Sequence, residues 1–143
     1  MMRLTKLADY GILLLTCLAS APAGELYNAR DLAAKSRMPQ PTVSKLLKVL
    51  MRAGLVGSRR GVRGGYVLAR PADTISVAQI IGAIEGPIGV TECTTSPGAC
   101  AMEEVCTLRP GWGRVNRVIL SSLQGLTLAE MASRAPGELR GAR

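Results

Sequence analysis

The sequence contains no histidine and no phenylalanine, and it has only one tryptophan and three tyrosines. Without histidine the chain lacks the side chain that proteins use most often as a general base. A serine or cysteine nucleophile motif and a phosphate-binding loop are also missing. We therefore expect that the protein is not an enzyme. Because aromatic residues are scarce, aliphatic residues and methionine must fill the core, which favours helices.

Long hydrophobic runs are missing as well. The longest uncharged one, Gly11–Ala23, is shorter than the roughly 18 apolar residues that a membrane-spanning helix needs. No secretory signal is visible in the sequence. With 143 residues, we expect one domain, or one small domain with an appendage, in the cytoplasm and without a membrane partner.

The net charge of +8 is distributed unevenly along the chain. Residues 1–73 contain twelve lysines and arginines but four acidic residues, whereas residues 74–143 contain six of each. All the excess positive charge therefore lies in the N-terminal half. This asymmetry indicates a polyanionic partner for that half, and nucleic acid before a membrane surface.

The N-terminal third has the pattern of a helix-turn-helix. Leu4–Ser20 is apolar almost all round, which predicts a buried helix, and Ala29–Ser36 is a short helix that Asn28 can cap. A third helix is predicted from Pro41 to about Ala53. Its apolar stripe is Val43, Leu46, Leu47 and Leu50. Its opposite face, which is either a DNA-binding face or simply a solvated one, carries Thr42, Ser44, Lys45, Lys48 and Arg52.

A basic hairpin follows the third helix. Leu55–Ser58 and Tyr66–Ala69 read as two short strands joined by a glycine-rich turn. The turn presents Arg59, Arg60 and Arg63. A basic hairpin after a helix-turn-helix predicts a winged helix, whose third helix enters the major groove while the arginines contact phosphates or the minor groove. The predicted DNA-binding residues are thus the polar face of the third helix and these three arginines.

The C-terminal half is predicted to be helical. Ser76 and Gln79 form a capping-box pattern that opens one helix, and Thr127 with Glu130 opens a short one near the end. Between them a long helix runs from Pro110 to about Gln124. Its apolar repeat, which is expected to pack against a second copy of the chain, is Trp112, Val115, Val118, Ile119 and Leu123.

These patterns predict a mainly α fold with a small β-hairpin. The expected organisation is a winged-helix DNA-binding domain (1–73), a connecting helix (74–91), a cysteine-bearing loop (92–109), and a dimerisation helix with a short C-terminal helix (110–143). The tail from Ala135 is expected to fray.

The segment Glu92–Arg109 holds three cysteines, Cys93, Cys100 and Cys106, with no predicted helix or strand of its own. A loop of this length is ordered more readily if the three thiols bind an iron–sulfur cluster or a zinc ion. The alternative is a floppy loop with incidental cysteines. Disulfides are disfavoured, because three loop cysteines leave one unpaired. Cys17 reads as a small core residue.

Three stretches, MRLTKLADYGILLL, RRGVRGGYVLARP and IEG followed by the three cysteines, resemble the IscR/NsrR-like winged-helix transcription regulators that carry iron–sulfur clusters. The resemblance covers Met2 to about Met131. It implies a homodimer that binds a partly palindromic double-stranded DNA operator with an affinity set by a 2Fe–2S or 4Fe–4S cluster. The opening looks closest to the branch that regulates SUF cluster-assembly genes and to the nitric-oxide-sensing branch.

The resemblance also implies the ligands of the cluster. Some members use a histidine three residues after the last cysteine, where this chain has Arg109. Others use an acidic residue in the first helix, supplied by the partner subunit, and Asp9 stands at that position. The resemblance therefore implies Cys93, Cys100, Cys106 and Asp9 as ligands, with Glu103 and Glu104 as local substitutes for Asp9. Two alternatives stay open: a nitric-oxide or redox-sensing repressor, and a zinc-stabilised winged helix that binds proteins.

Overall fold

The computed structural model describes residues 3–133, which form a mainly helical fold with one antiparallel hairpin and a long helix near the C-terminus. This confirms the predicted fold class. The tail from Ala135 lies outside the described residues. In chain order the elements are α1 (Lys6–Ala19), α2 (Ala29–Ser36), α3 (Gln40–Arg52), β1 (Val56–Arg59), β2 (Gly65–Leu68), a 3-10 turn (Ala72–Thr74), α4 (Val77–Glu85), α5 (Glu92–Thr95), α6 (Arg109–Gly125) and α7 (Leu128–Ala132).

The core is built from aliphatic side chains of α1, α3 and α4, with contributions from the segments between them. Tyr27 is the one aromatic residue among the buried hydrophobic side chains of residues 3–133. Cys17 packs half-buried against this core, as predicted. The largest fully buried side chains are Leu14, Leu15, Leu32, Val43, Leu46, Leu47, Leu50, Ile75, Ile80, Ile81 and Leu128.

Helix α1 is largely buried between its neighbours, as predicted, and exposes only a narrow strip to solvent. It begins after Thr5, whose side chain accepts a hydrogen bond from the Ala8 amide at 3.2 Å. One side packs against α2, α3, α4 and α7. None of the described elements covers the opposite side, where the exposed residues are Lys6, Asp9 and Leu13.

The helix-turn-helix is formed by α2 and α3. The Asn28 side chain accepts a hydrogen bond from the Asp31 amide at 2.8 Å, which confirms the predicted cap of α2. The chain then reverses at Arg37, which has a left-handed conformation with φ 55°. Helix α3 begins at Gln40, one residue before the predicted Pro41.

The wing (Val56–Leu68) is a two-stranded antiparallel hairpin shifted by one residue from the predicted strands. Val56 pairs with Leu68, and Arg59 pairs with Gly65 at the turn. Tyr27 bridges to Tyr66 and so ties the wing to the segment that precedes α2.

Helices α4 and α7 each begin with a capping box. Ser76 and Gln79 exchange hydrogen bonds of 3.1 and 3.0 Å, and Thr127 and Glu130 exchange bonds of 3.2 and 2.7 Å, as both capping-box patterns predict. Ser76 also bridges to Thr127, which places the start of α7 beside the start of α4. No helix among residues 3–133 is long and apolar enough to cross a membrane.

Candidate nucleic-acid interface and cysteine loop

The outer face of α3 carries the side chains that the sequence predicted for DNA contact. Burial of the apolar stripe fixes the rotation of the helix and turns the polar residues outward. The first turn of α3 contains no acidic residue, so no carboxylate repels a phosphate there. Lys45, Lys48 and Arg52 are exposed, and Thr42 and Ser44 are half-buried.

The wing places three exposed arginines, Arg59, Arg60 and Arg63, around a narrow turn. Two glycines make this turn possible. Gly61 has φ +119°, and a Cβ at Gly64 would lie 2.3 Å from the carbonyl oxygen of Arg59. Because β1 follows α3 and packs against it, the basic turn and the basic helix belong to one unit.

None of these cations is neutralised by a neighbouring carboxylate. Over residues 3–133 the single ion pair joins Arg109 to Glu103, which lie in the cysteine-bearing segment. The positive charge of α3 and the wing is therefore available to a polyanion.

Sequence reasoning missed two exposed polar residues at the turn of the helix-turn-helix. Arg37 lies in the turn between α2 and α3, and Gln40 is the first residue of α3. Their location at the turn was the signal that could have identified them. Val62 was also overlooked; it projects fully exposed between Arg60 and Arg63.

The prediction that the cysteine loop (Glu92–Arg109) has no helix of its own is wrong at its start, because the loop begins with the four-residue helix α5. The amide of Thr91 donates to the Thr94 hydroxyl at 3.1 Å and helps to order this turn. Further backbone turns follow, from Ser96 to Ala99 and from Cys100 to Glu103. All three loop cysteines are free and half-buried.

The three thiols suit a soft metal or an iron–sulfur cluster by their chemistry. However, among residues 3–133 no group of three or more Cys, Asp or Glu side chains is arranged to hold a metal ion. Cys93 instead lies 3.2 Å from the Thr91 hydroxyl. The residue types thus fit a cluster, whereas one chain by itself does not bring the donors together.

Asp9 is exposed in the first turn of α1. Within the described part of the chain its carboxylate makes no ion pair with Arg3 or Lys6 and accepts no side-chain hydrogen bond. Neither an ion pair with a neighbour nor a hydrogen bond to the backbone therefore accounts for the Asp9 carboxylate in the described residues. Its side chain faces the surface that α1 leaves uncovered.

Two polar contacts that the sequence did not reveal join the loop region to the rest of the fold. Glu85, the last residue of α4, accepts hydrogen bonds from the amide and the hydroxyl of Thr5 at 3.0 and 2.5 Å. The side chain of Asn116 in α6 accepts from the Val90 amide at 3.2 Å and donates to the Ile88 carbonyl at 3.5 Å. These contacts fix both ends of the segment that leads into the cysteine loop.

Helix α6 contains no buried residue although it is 17 residues long. One side, with Asn116, Ile119 and Leu123, is half-buried against α4 and the segment before the loop. The rest of the helix is open to solvent and is polar at Arg114, Arg117 and Ser121, but it includes an apolar strip. This strip, which we call the outer stripe, consists of Trp112, Val115 and Val118, with Met102, Val105 and Leu108 preceding it at similar spacing in the cysteine loop.

Comparisons with known proteins agree with this architecture. A family model described as "Rrf2: Iron-dependent Transcriptional regulator" matches residues 4–134. The chain is 30% identical to Protein rrf2 of Nitratidesulfovibrio vulgaris over 130 residues, which cover 91% of this chain and 87% of that protein. Its structure is similar to that of CymR (YrzC), the global cysteine regulator of B. subtilis, with a TM-score of 0.74, 27% identity, and coverage of 92% and 97% of the two chains. It is also similar to T. potens IscR, with a TM-score of 0.72, 27% identity, and coverage of 95% and 94%.

Proposed function

Because this chain belongs to the Rrf2 family of DNA-binding transcriptional regulators, which are not enzymes, we propose that a cluster on its cysteine loop sets its operator affinity. The observation that carries the proposal is the set of three free, half-buried cysteines on one loop, between the winged helix and the outer stripe of α6. The structural similarity to T. potens IscR over almost the whole chain also supports this proposal.

In this proposal α3 and the wing bind double-stranded DNA. Thr42, Ser44 and Lys45 contact base edges near the start of α3, where recognition helices usually meet the major groove. Arg60 enters the minor groove. The remaining cations contact phosphates and are Lys48, Arg52, Arg59 and Arg63.

The regulator acts as a homodimer with the outer stripe of α6 in its interface. Trp112, Val115 and Val118 form an apolar surface on a helix that buries none of its residues within residues 3–133. Because the stripe runs along one helix, a second copy can cover it through a symmetric contact that buries the same residues of both chains. The exposed side of α1, which includes Leu13, adds to this interface.

The cluster, either 2Fe–2S or 4Fe–4S, is held by Cys93, Cys100 and Cys106, with Asp9 of the second subunit as fourth ligand. When bound, such a cluster supplies iron that can exchange electrons and ligands. A carboxylate from another subunit is consistent with two features. Asp9 is exposed without a partner in its own chain, over the described residues, and it lies on the uncovered side of α1.

The test of the cluster is anaerobic purification followed by absorption spectroscopy and iron and sulfide analysis. We expect a brown protein whose visible bands disappear on exposure to oxygen or nitric oxide, with a change in operator binding by gel shift. A colourless protein that contains zinc and binds no specific DNA supports instead the zinc-stabilised protein-binding module.

The test of the fourth ligand compares Asp9→Ala with Cys100→Ala, both purified without oxygen. We expect Cys100→Ala to lose the cluster and Asp9→Ala to keep a less stable one with an altered spectrum. The effect of Asp9→Ala is smaller because a carboxylate oxygen binds iron less tightly than a thiolate does. An unaltered spectrum and oxygen sensitivity in Asp9→Ala would leave it with a structural role only.

We further propose that the genes controlled are those of SUF iron–sulfur cluster assembly, with a nitric-oxide or redox response as the alternative. The opening sequence with Asp9 supports both branches. Operator binding measured with intact cluster, with cluster removed by chelation, and after nitric-oxide treatment distinguishes them. A nitric-oxide sensor is expected to respond at nitric-oxide concentrations close to that of the cluster, whereas a regulator of cluster assembly should respond to chelation but need a large excess of nitric oxide.

A further inference from the structure

Glu103 has an unusual place in the cysteine loop. Its side chain is 9% exposed, although it lies between Cys100 and Cys106 in a segment whose other residues are exposed or half-buried. Its neighbour Glu104 is exposed. Burying a carboxylate is costly unless it is paired and hydrogen-bonded, so the contacts of Glu103 need to account for its position.

Both oxygens of the Glu103 carboxylate are used. One lies 2.7 Å from the guanidinium of Arg109, and the other accepts the Gly98 amide at 2.6 Å. Gly98 precedes Cys100, and Arg109 follows Cys106 as the first residue of α6. One side chain thus connects the early part of the loop, its end and the long helix. Charged hydrogen bonds of this kind are short and strong.

We propose that Glu103 is the positioning residue of the cysteine loop, and that its carboxylate keeps the loop folded against the start of α6 when no metal is bound. The role of the loop as a cluster site rests on the proposed function; the folding of the metal-free loop does not. Both oxygens of Glu103 have protein partners in the metal-free loop, so this role does not require Glu103 to bind the cluster. The metal-free regulator therefore keeps an ordered loop that presents Cys100 and Cys106, rather than a melted one.

The experiment measures how fast each cysteine of the full-length, reduced, metal-free protein reacts with iodoacetamide, with mass spectrometry of the peptides. Cys17 in α1 is the internal reference, because it is half-buried outside the loop. Four variants are compared with wild type: Glu103→Ala, Glu103→Gln, Arg109→Met and, as the matched control, Glu104→Ala.

We expect Glu103→Ala to raise the reaction rates of Cys100 and Cys106 about tenfold, since it removes both charged contacts. Glu103→Gln and Arg109→Met keep an acceptor for the Gly98 amide and lose only a half-exposed ion pair, so about threefold is expected. Glu104→Ala should react like wild type. Cys17 should keep its rate throughout, whereas a general loss of structure would accelerate it as well.

Loop rates within about twofold of wild type in Glu103→Ala, or an equal rise in Glu104→Ala, overturn the proposal. If Glu103→Ala also accelerates Cys17, the two milder variants decide, and unchanged loop rates in both overturn it. Because no cluster is present, failure of the loop to bind iron in the anaerobic preparation counts against the proposed function alone.

Discussion

Replacement of Lys48 by alanine tests directly whether α3 faces DNA. Lys48 is exposed on the side of α3 opposite its buried stripe and has no carboxylate partner among residues 3–133. The substitution removes a charge without disturbing the core. Any change in DNA binding therefore reports the loss of a contact with the nucleic acid.

The expected size follows from counterion release. Each phosphate that a cation neutralises contributes about 0.9 to the slope of log affinity against log salt concentration. A dimer has two copies of Lys48, so the slope should fall by about 1.8. As a consequence, the affinity ratio of wild type to variant should shrink by about twelvefold between roughly 50 and 200 mM salt.

The assay is fluorescence anisotropy with a labelled operator and with a random duplex, over a series of salt concentrations. Because a phosphate contact carries no sequence information, both duplexes should lose affinity alike. Arg117→Ala is the charge-matched control, since Arg117 is exposed on α6, on a different element from α3 and the wing. An unchanged slope and affinity in Lys48→Ala would show that α3 faces elsewhere, and a loss confined to the operator would show that Lys48 reads bases.

Three further predictions concern assembly, stability and pH. Val118 is 67% exposed, so a subunit with Val118→Asp should still fold. Sedimentation of this variant should nevertheless show monomers, and its operator binding should be poor, because the new charge lies in the proposed interface. The control Gln124→Asp should stay dimeric. Leu47→Ala should lower the free energy of unfolding by about 2–5 kcal/mol in urea titrations, because Leu47 is buried in the core, whereas Met51→Ala on the surface should change it little. Burial raises the pKa of the Cys17 thiol above its usual 9.0, against a smaller opposing effect of Lys35. The resulting stabilisation is complete below the unfolded pKa and is lost as the pH rises through the folded pKa, so Cys17→Ala should show a weaker alkaline loss of stability.

The sequence predicted well the features that depend on neighbours along the chain. The stripe from Val43 to Leu50 fixed both the extent and the rotation of α3, because helical periodicity is a local property. The caps at Asn28, Ser76 and Thr127 were found for the same reason, since each joins residues three positions apart. Element ends differed from the predicted ones by one or two residues.

Contacts between distant segments could not be predicted in this way. Thr5 and Glu85 are 80 residues apart, and no local pattern pairs them. The exposure of Asp9 was missed because the composition of α1 shows that the helix is apolar but not which side its neighbours cover. The ion pair of Glu103 with Arg109 depends on the path of the loop, which has no periodicity from which to infer it.

The positions of these distant contacts give a physical route between the two parts of the proposed regulator. Asn116 of α6 holds the segment before the cysteine loop, and that segment begins at Glu85, which holds Thr5 at the start of α1. Helix α1 in turn packs against α3. A change in loop conformation that moves the Ile88–Val90 backbone would therefore bear on α1 and, through its packing, on the DNA-binding helix. Glu85→Gln weakens the contact between Glu85 and Thr5 while leaving the cysteines and α3 unaltered. It therefore tests the coupling between cluster and DNA separately from the binding of either one. The expected variant binds both cluster and operator, but its operator affinity depends less on cluster state than that of wild type. Equal dependence in the two proteins would mean that the signal reaches α3 across the subunit interface instead.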